Sequence, residues 1–168
     1  MLAMATVLGY FRLYRFPFGG SVDLSLVPIL VYCLRWGWKW GALCCLVNGL
    51  LSYFLGGGIS ISWQSMLLDY VGCSMMTCLC GFGRGRKGGW LWGTVLAHIG
   101  RLIPLVLSGG LIWHMYMPEE FLGMKMTDPW LYAFLYNGVL TLAVLAADLV
   151  ALWLLRKALA GKKHLPQI

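Results

Sequence analysis

Residues 63–82, WQSMLLDYVGCSMMTCLCGF, form an apolar run that carries a single charge, Asp69. About 20 such residues cross the roughly 30 Å hydrocarbon core of a bilayer as one helix. A carboxylate near the middle of that helix costs roughly 2.5–3.5 kcal/mol to insert. It is tolerated where it faces a partner group or a water-filled cavity, which makes Asp69 a candidate functional residue. Trp and Tyr are frequent around it. The pattern predicts a membrane-embedded pocket with one negative group and aromatic walls, a chemistry suited to a small organic cation.

The rest of the chain supports a membrane setting. Of 168 residues, 60% are hydrophobic and 11% charged, with a mean hydropathy of +0.76. A soluble domain of this length needs far more polar surface, so the expected class is an all-α integral membrane protein of the cell membrane. The length accommodates about six transmembrane helices with short loops and predicts one domain over residues 1–168. The net charge of +7 sits mostly in loops. It reports topology and contact with anionic lipid rather than nucleic acid. The six cysteines fall inside predicted helices without metal-ligand spacing, so they read as small packing residues and no metal site is expected.

Punctuation by Gly and Pro divides the chain. A first helix is predicted over 1–13, short for a span, so it either lies partly in the interface or begins upstream of Met1. Without a basic leader and a small-residue cleavage site, it does not read as a signal peptide. YRFPFGGS (14–21) reads as a loop, 22–34 as a helix containing Pro28, and RWGWKWG (35–41) as a basic, aromatic interfacial loop. Helices are expected over 42–55, 63–82, 90–113 and 130–155. The breaks are GGGISIS (56–62), the basic turn GRGRKGG (83–89) and a long loop, 114–129, with Glu119, Glu120 and Asp128. Nine basic residues then fall on one side of the membrane: Arg35 and Lys39, Arg84, Arg86 and Lys87, then Arg156, Lys157, Lys162 and Lys163. Three fall on the other. The asymmetry predicts both termini in the cytoplasm and the acidic loop outside.

On that topology Asp69 lies roughly 9 Å below the outer surface. Tyr132 and Tyr136, four residues apart on the sixth helix, share a face. Asn137 falls at the depth of Asp69, and Trp113 ends the fifth helix on the same side. Together they predict a pocket that opens outward. Alternatives stand beside this reading. Trp113, Trp130 and Tyr132 also suit an interfacial aromatic belt, Asn137 a simple interhelical hydrogen bond, and Asp69 a structural ion pair with Arg101. A second pair, Arg101 with Asp148, is expected to neutralise both groups, and His98 reads as a helix–helix contact. Ala5 and Gly9 form a small-xxx-small face that permits close packing. The pattern GxxxxGK[ST] is absent, as are HExxH and GxSxG, so no nucleotide hydrolysis and no enzyme chemistry are expected of this chain.

Several segments together resemble the thiamine-specific substrate-binding subunits (the ThiT/YuaJ family) of energy-coupling factor transporters. They are RLYRFPFGGSVDLSLVPIL (12–30), WQSMLLDY (63–70), SGGLIW (108–113) and DPWLYAFLYNG (128–138). The resemblance implies a six-helix vitamin-binding subunit that docks on a transmembrane coupling protein and two ATPase subunits, which hydrolyse the ATP. It implies that Asp69, Tyr70, Trp113, Tyr132 and Asn137 bind the ligand, and that Ala5 and Gly9 contact the coupling protein. Loops 14–21 and 56–62 become candidate lids. The chain departs from the family pattern at Leu105, where a His is frequent, at Asp69, where some members carry Glu, in the length of loop 114–129 and in its short first helix. A thiamine-related precursor, another vitamin such as riboflavin, and a non-transport membrane scaffold are the alternative readings.

Overall fold

Gly37, at φ 86°, turns the chain in a single residue. This computed structural model describes residues 1–16, 20–121 and 123–160. Among them are six helices: α1 (Leu2–Tyr10), α2 (Leu26–Trp36), α3 (Trp38–Phe54), α4 (Trp63–Gly83), α5 (Gly89–Leu111) and α6 (Pro129–Ala160). The segment 35–41, expected as a loop, is helical on both sides of Gly37. A left-handed glycine reverses the backbone without a longer connection, so the flanking Trp and basic residues stay in α2 and α3. Pro28 lies in the first turn of α2, where its missing N–H has no intrahelical partner to lose. Pro17, Phe18 and Gly19 of the first loop, and Lys162 and Lys163 of the predicted tail, lie outside the described residues.

Three helices, α4, α5 and α6 (the last counted over Pro129–Leu159), are long and apolar enough to cross a membrane. The first three are shorter, about 14, 17 and 26 Å at 1.5 Å per residue. The shortness of α2 has a packing reason: it is wrapped by other helices. Ile29, Leu30 and Cys33 are fully buried, and they meet Ala5, Cys45, Cys80, Ala97 and Leu152 in one core. The outer faces of α5 and α6 instead present Ile99, Ile103, Leu142, Val150 and Leu154 to the surroundings, as lipid-facing helices do.

The α4 helix is irregular along its length. It starts with an α turn at Trp63–Met66 and widens into a π-helical stretch at Leu67–Gly72. It then narrows through Cys73–Met76 into a 3-10 end at Thr77–Gly83. The wide stretch packs directly on α3. A Cβ at Gly49 would fall 2.9 Å from both the Tyr70 oxygen and the Val71 Cα, so only glycine permits this approach. Two small antiparallel hairpins complete the fold: β1 (Tyr14–Arg15) with β2 (Ser21–Val22), and β3 (Glu120–Phe121) with β4 (Met124–Lys125). The second stands inside loop 114–129, where no secondary structure was expected.

The interhelical pairing differs from expectation at one point. Asp148 on α6 is fully buried and faces His98, with Nε2 3.1 Å from Oδ2. Arg101, the expected partner, donates from Nη1 to Thr77 Oγ1 at 3.1 Å. Three residues of helix set His98 and Arg101 about 60° apart around α5, one aimed at α6 and the other at α4. His98 Nδ1 lies 2.9 Å from the Thr94 carbonyl, which holds the ring edge toward Asp148.

Candidate functional site: a membrane-embedded cavity at one end of the bundle

The cavity occupies about 840 Å³, at the end of the bundle that holds both hairpins. All five residues expected to bind ligand line it: Asp69, Tyr70, Trp113, Tyr132 and Asn137. Its volume falls within the range of small-molecule sites.

Asp69 is the centre of a three-residue network. Ser65, one turn earlier on α4 and fully buried, donates from Oγ to Asp69 Oδ2 at 2.7 Å. Trp113 Nε1–H donates to the same oxygen at 2.9 Å and to Ser65 Oγ at 3.1 Å. No ion pair joins Asp69 to Arg101 among the described residues. The network fixes the carboxylate through Oδ2 alone. Trp113 lies just beyond α5, in a 3-10 turn at Trp113–Tyr116, and not inside the helix as expected. Its indole edge is tied to Asp69 while the residue lines the cavity. The pair therefore offers a negative oxygen beside an aromatic face, a combination that favours a desolvated cation by about 2 kcal/mol or more per ring.

Tyr70 has a different job from its neighbour. Its phenol accepts from Ile59 N–H at 2.9 Å and donates to the Ile59 carbonyl at 3.2 Å. It also meets the Tyr53 ring edge-on, and Tyr53 in turn bonds Ser60. Within the π-helical stretch two adjacent side chains thus take separate tasks, Asp69 joined to Ser65 and Trp113 on the cavity lining and Tyr70 bonded to loop 56–62. Tyr10 and Arg12 hold the same loop, through the Leu55 carbonyl at 2.7 Å and the Gly56 carbonyl at 3.1 Å.

The opposite wall is aromatic. Tyr132 and Tyr136 stack with centroids 5.7 Å apart. Phe121, from the β3–β4 hairpin, packs edge-on against Tyr132 at 5.4 Å and tilted against Tyr136 at 5.9 Å. Phe16, from the β1–β2 hairpin, meets Tyr136 at 6.3 Å, and Tyr136 Oη accepts from Gly20 N–H at 3.3 Å. Both hairpins therefore converge on Tyr136. Asn137 Nδ2 donates to the carbonyls of Ala133 at 2.9 Å and Leu105 at 3.3 Å, which leaves its carbonyl oxygen as the group it can offer a ligand. Leu105 lines the cavity with an apolar surface.

Ala5 and Gly9, expected to contact a partner protein, both line the cavity. Ala5 is 1% exposed, and a Cβ at Gly9 would meet Ser25 at 3.6 Å. The small-residue face does permit close approach, but what approaches it is α2 and the cavity. The side that α1 turns outward carries Met4 and Val7. Sequence reasoning missed Ser65, Phe16, Asp23 and Tyr116. Ser65 had a signal, its i, i+4 spacing from Asp69. Asp23 had one as well: its carboxylate accepts from Ser25 N–H at 3.0 Å, an Asx-type turn at the start of α2. Phe16 and Tyr116 had none.

A helical bundle with three helices long and apolar enough to cross a membrane, and a ligand-sized cavity at one end, has the architecture of a membrane-embedded small-molecule-binding protein. The family model described as thiamine transporter protein (Thia_YuaJ) matches residues 1–164, and the chain belongs to that family. It is 29% identical over 135 residues to the thiamine transporter ThiT of Bacillus subtilis, covering 73% of this chain and 67% of that one. The fold is similar to the solved structure of ThiT from Listeria monocytogenes, with a TM-score of 0.77 at 18% identity over 94% of this chain and 89% of the other.

Proposed function

We propose that this protein binds thiamine, or a close thiamine-related compound, in the cavity and serves as the substrate-binding subunit of an energy-coupling factor importer. One observation carries the ligand assignment: the Asp69 carboxylate, fixed by Ser65 and Trp113, faces a cavity with aromatic walls. Thiamine combines a permanent cation with two flat rings. A carboxylate pairs with the cation or accepts from the ring amine, and Trp113 and Tyr132 supply faces for stacking. The B. subtilis relative is named a thiamine transporter, which supports the same ligand.

In this reading the cavity end faces outward and the basic end faces the cytoplasm, following the distribution of Arg and Lys. Binding precedes a reorientation driven by a coupling protein and two ATPase subunits that dock from the membrane and the cytoplasm. This chain contributes no ATP chemistry. Loops 14–21 and 56–62 act as lids. Ala5 and Gly9 contribute to partner contact only if α1 shifts, since in this conformation they face the cavity.

Titration of the detergent-purified protein with thiamine, read by tryptophan fluorescence, tests the ligand. Saturable quenching that Asp69→Asn weakens strongly supports the reading. Quenching by riboflavin but not thiamine replaces the ligand, and no response to either returns the chain to a scaffold role. Coupled uptake is tested separately, by copurification of the ATPase subunits.

A further inference from the structure

The end of the bundle away from the cavity carries an unusual charge balance. Arg35 and Lys39 flank the α2–α3 corner, Arg84, Arg86 and Lys87 occupy the α4–α5 turn, and Arg156 and Lys157 close α6. None of the six Asp and Glu side chains is there. Asp23, Asp69, Glu119, Glu120 and Asp128 belong to the cavity end, and Asp148 is enclosed against His98.

Five of these cations lie over indole rings instead of beside carboxylates. Arg35 covers Trp36 at 5.0 Å, Lys39 covers Trp38 at 5.8 Å and Arg86 covers Trp92 at 5.5 Å. Arg156 covers Trp90 at 4.9 Å and Lys157 covers Trp153 at 5.2 Å. The pairs form one surface. Arg84 Nη1 donates to the Trp36 carbonyl at 3.1 Å, and Trp38 stacks on Phe82 at 5.8 Å, which join the α2–α3 corner to the α4–α5 turn. Arg156 on Trp90 joins the end of α6 to the start of α5.

We infer that this surface binds the phosphodiester headgroups of anionic phospholipids. An indole face holds a guanidinium or ammonium in place while leaving its remaining N–H groups free to donate outward, and phosphate oxygens are strong acceptors for them. Position favours lipid over an acidic protein. Trp36, Trp38 and Trp153 are 41–51% exposed. They continue directly into the apolar outer surface of Phe82, Leu91 and Leu154. An amphipathic ring with one side apolar and the other charged matches the headgroup level of a leaflet, where indoles collect. Each basic side chain near an anionic surface is worth about fivefold in affinity.

The test uses the full chain in a neutral detergent with dioctanoyl phosphatidylglycerol, dioctanoyl phosphatidylcholine or inorganic phosphate, read by native mass spectrometry. The expected result is saturable retention of phosphatidylglycerol over phosphatidylcholine, uncompeted by inorganic phosphate. The triple variant Arg86→Gln, Lys87→Gln, Lys157→Gln should weaken it on the order of 100-fold, with the helical circular dichroism unchanged. If that variant does not fold, the single variant Lys87→Gln, fully on the surface, should still weaken retention several-fold. Equal retention of both lipids, displacement by inorganic phosphate, or full retention by the folded variants would each overturn the inference. So would loss of a copurifying partner protein in the variants without any lipid preference in the parent.

Discussion

Replacing Ser65 with Ala is the most informative single perturbation of the site. Ser65 is fully buried and touches the ligand-facing group only through Asp69 and Trp113. Its hydroxyl donates the shorter of the two bonds to Asp69 Oδ2, 2.7 Å against 2.9 Å from Trp113. A hydrogen bond to a charged group contributes about 1.5–3 kcal/mol. The Trp113 donor survives the substitution, so part of that is retained, and a loss of about 1–2 kcal/mol in ligand binding follows. This corresponds to roughly 5–30-fold in Kd. Isothermal titration with thiamine, in the parent and in an Asp69→Asn background, separates the causes. If Ser65 acts by holding the carboxylate, its effect should shrink to near nothing once that carboxylate is gone, because contacting residues are not additive. An equal Ser65→Ala penalty in both backgrounds would refute the reasoning and assign Ser65 a packing role.

Three other outcomes are expected. Tyr70→Phe removes both bonds to Ile59 and should speed ligand release about tenfold in stopped-flow fluorescence, with little change in association, since the loop is held less firmly. Phe121→Ala should lower affinity by about 1 kcal/mol through loss of the edge contacts that brace Tyr132 and Tyr136, measured by the same titration. In thermal unfolding in detergent, His98→Ala and Asp148→Ala should each destabilise by about 3 kcal/mol. The double variant should be close to either single one, whereas Arg101→Ala should couple to Asp148 more weakly than His98→Ala does, because Arg101 bonds Thr77 and not Asp148.

The class of the protein was written into the chain in one dimension. A single carboxylate in a 20-residue apolar run, six helical segments and a lopsided Lys and Arg distribution follow from transfer energies that act residue by residue, and a linear sequence displays them directly. So does the membership of Asp69, Trp113, Tyr132 and Asn137 in one cavity, because helix direction and depth place them at the same end, whereas Tyr70 was legible only through the family resemblance. What a neighbour does to each residue is not visible there. Arg101 and His98 differ by three residues, and the sequence pointed to Arg101 as the partner of Asp148 and to His98 as a helix–helix contact. Only the rotation of α5 between α4 and α6 assigned His98 to Asp148 and Arg101 to Thr77. The spacing of Ala5 and Gly9 announced a close approach without saying to what, and the packed bundle turned that face inward. Asp69 and Tyr70, adjacent in the π-helical stretch Leu67–Gly72, took separate tasks only once Trp113 and loop 56–62 were packed against them. Phe121 reached the aromatic wall through a hairpin in a loop with no periodic signal. Solvent preference is a property of each side chain and can be read in order along the chain. Pairing is a property of two segments distant in sequence, and it is settled only when backbone geometry brings them within a few ångströms.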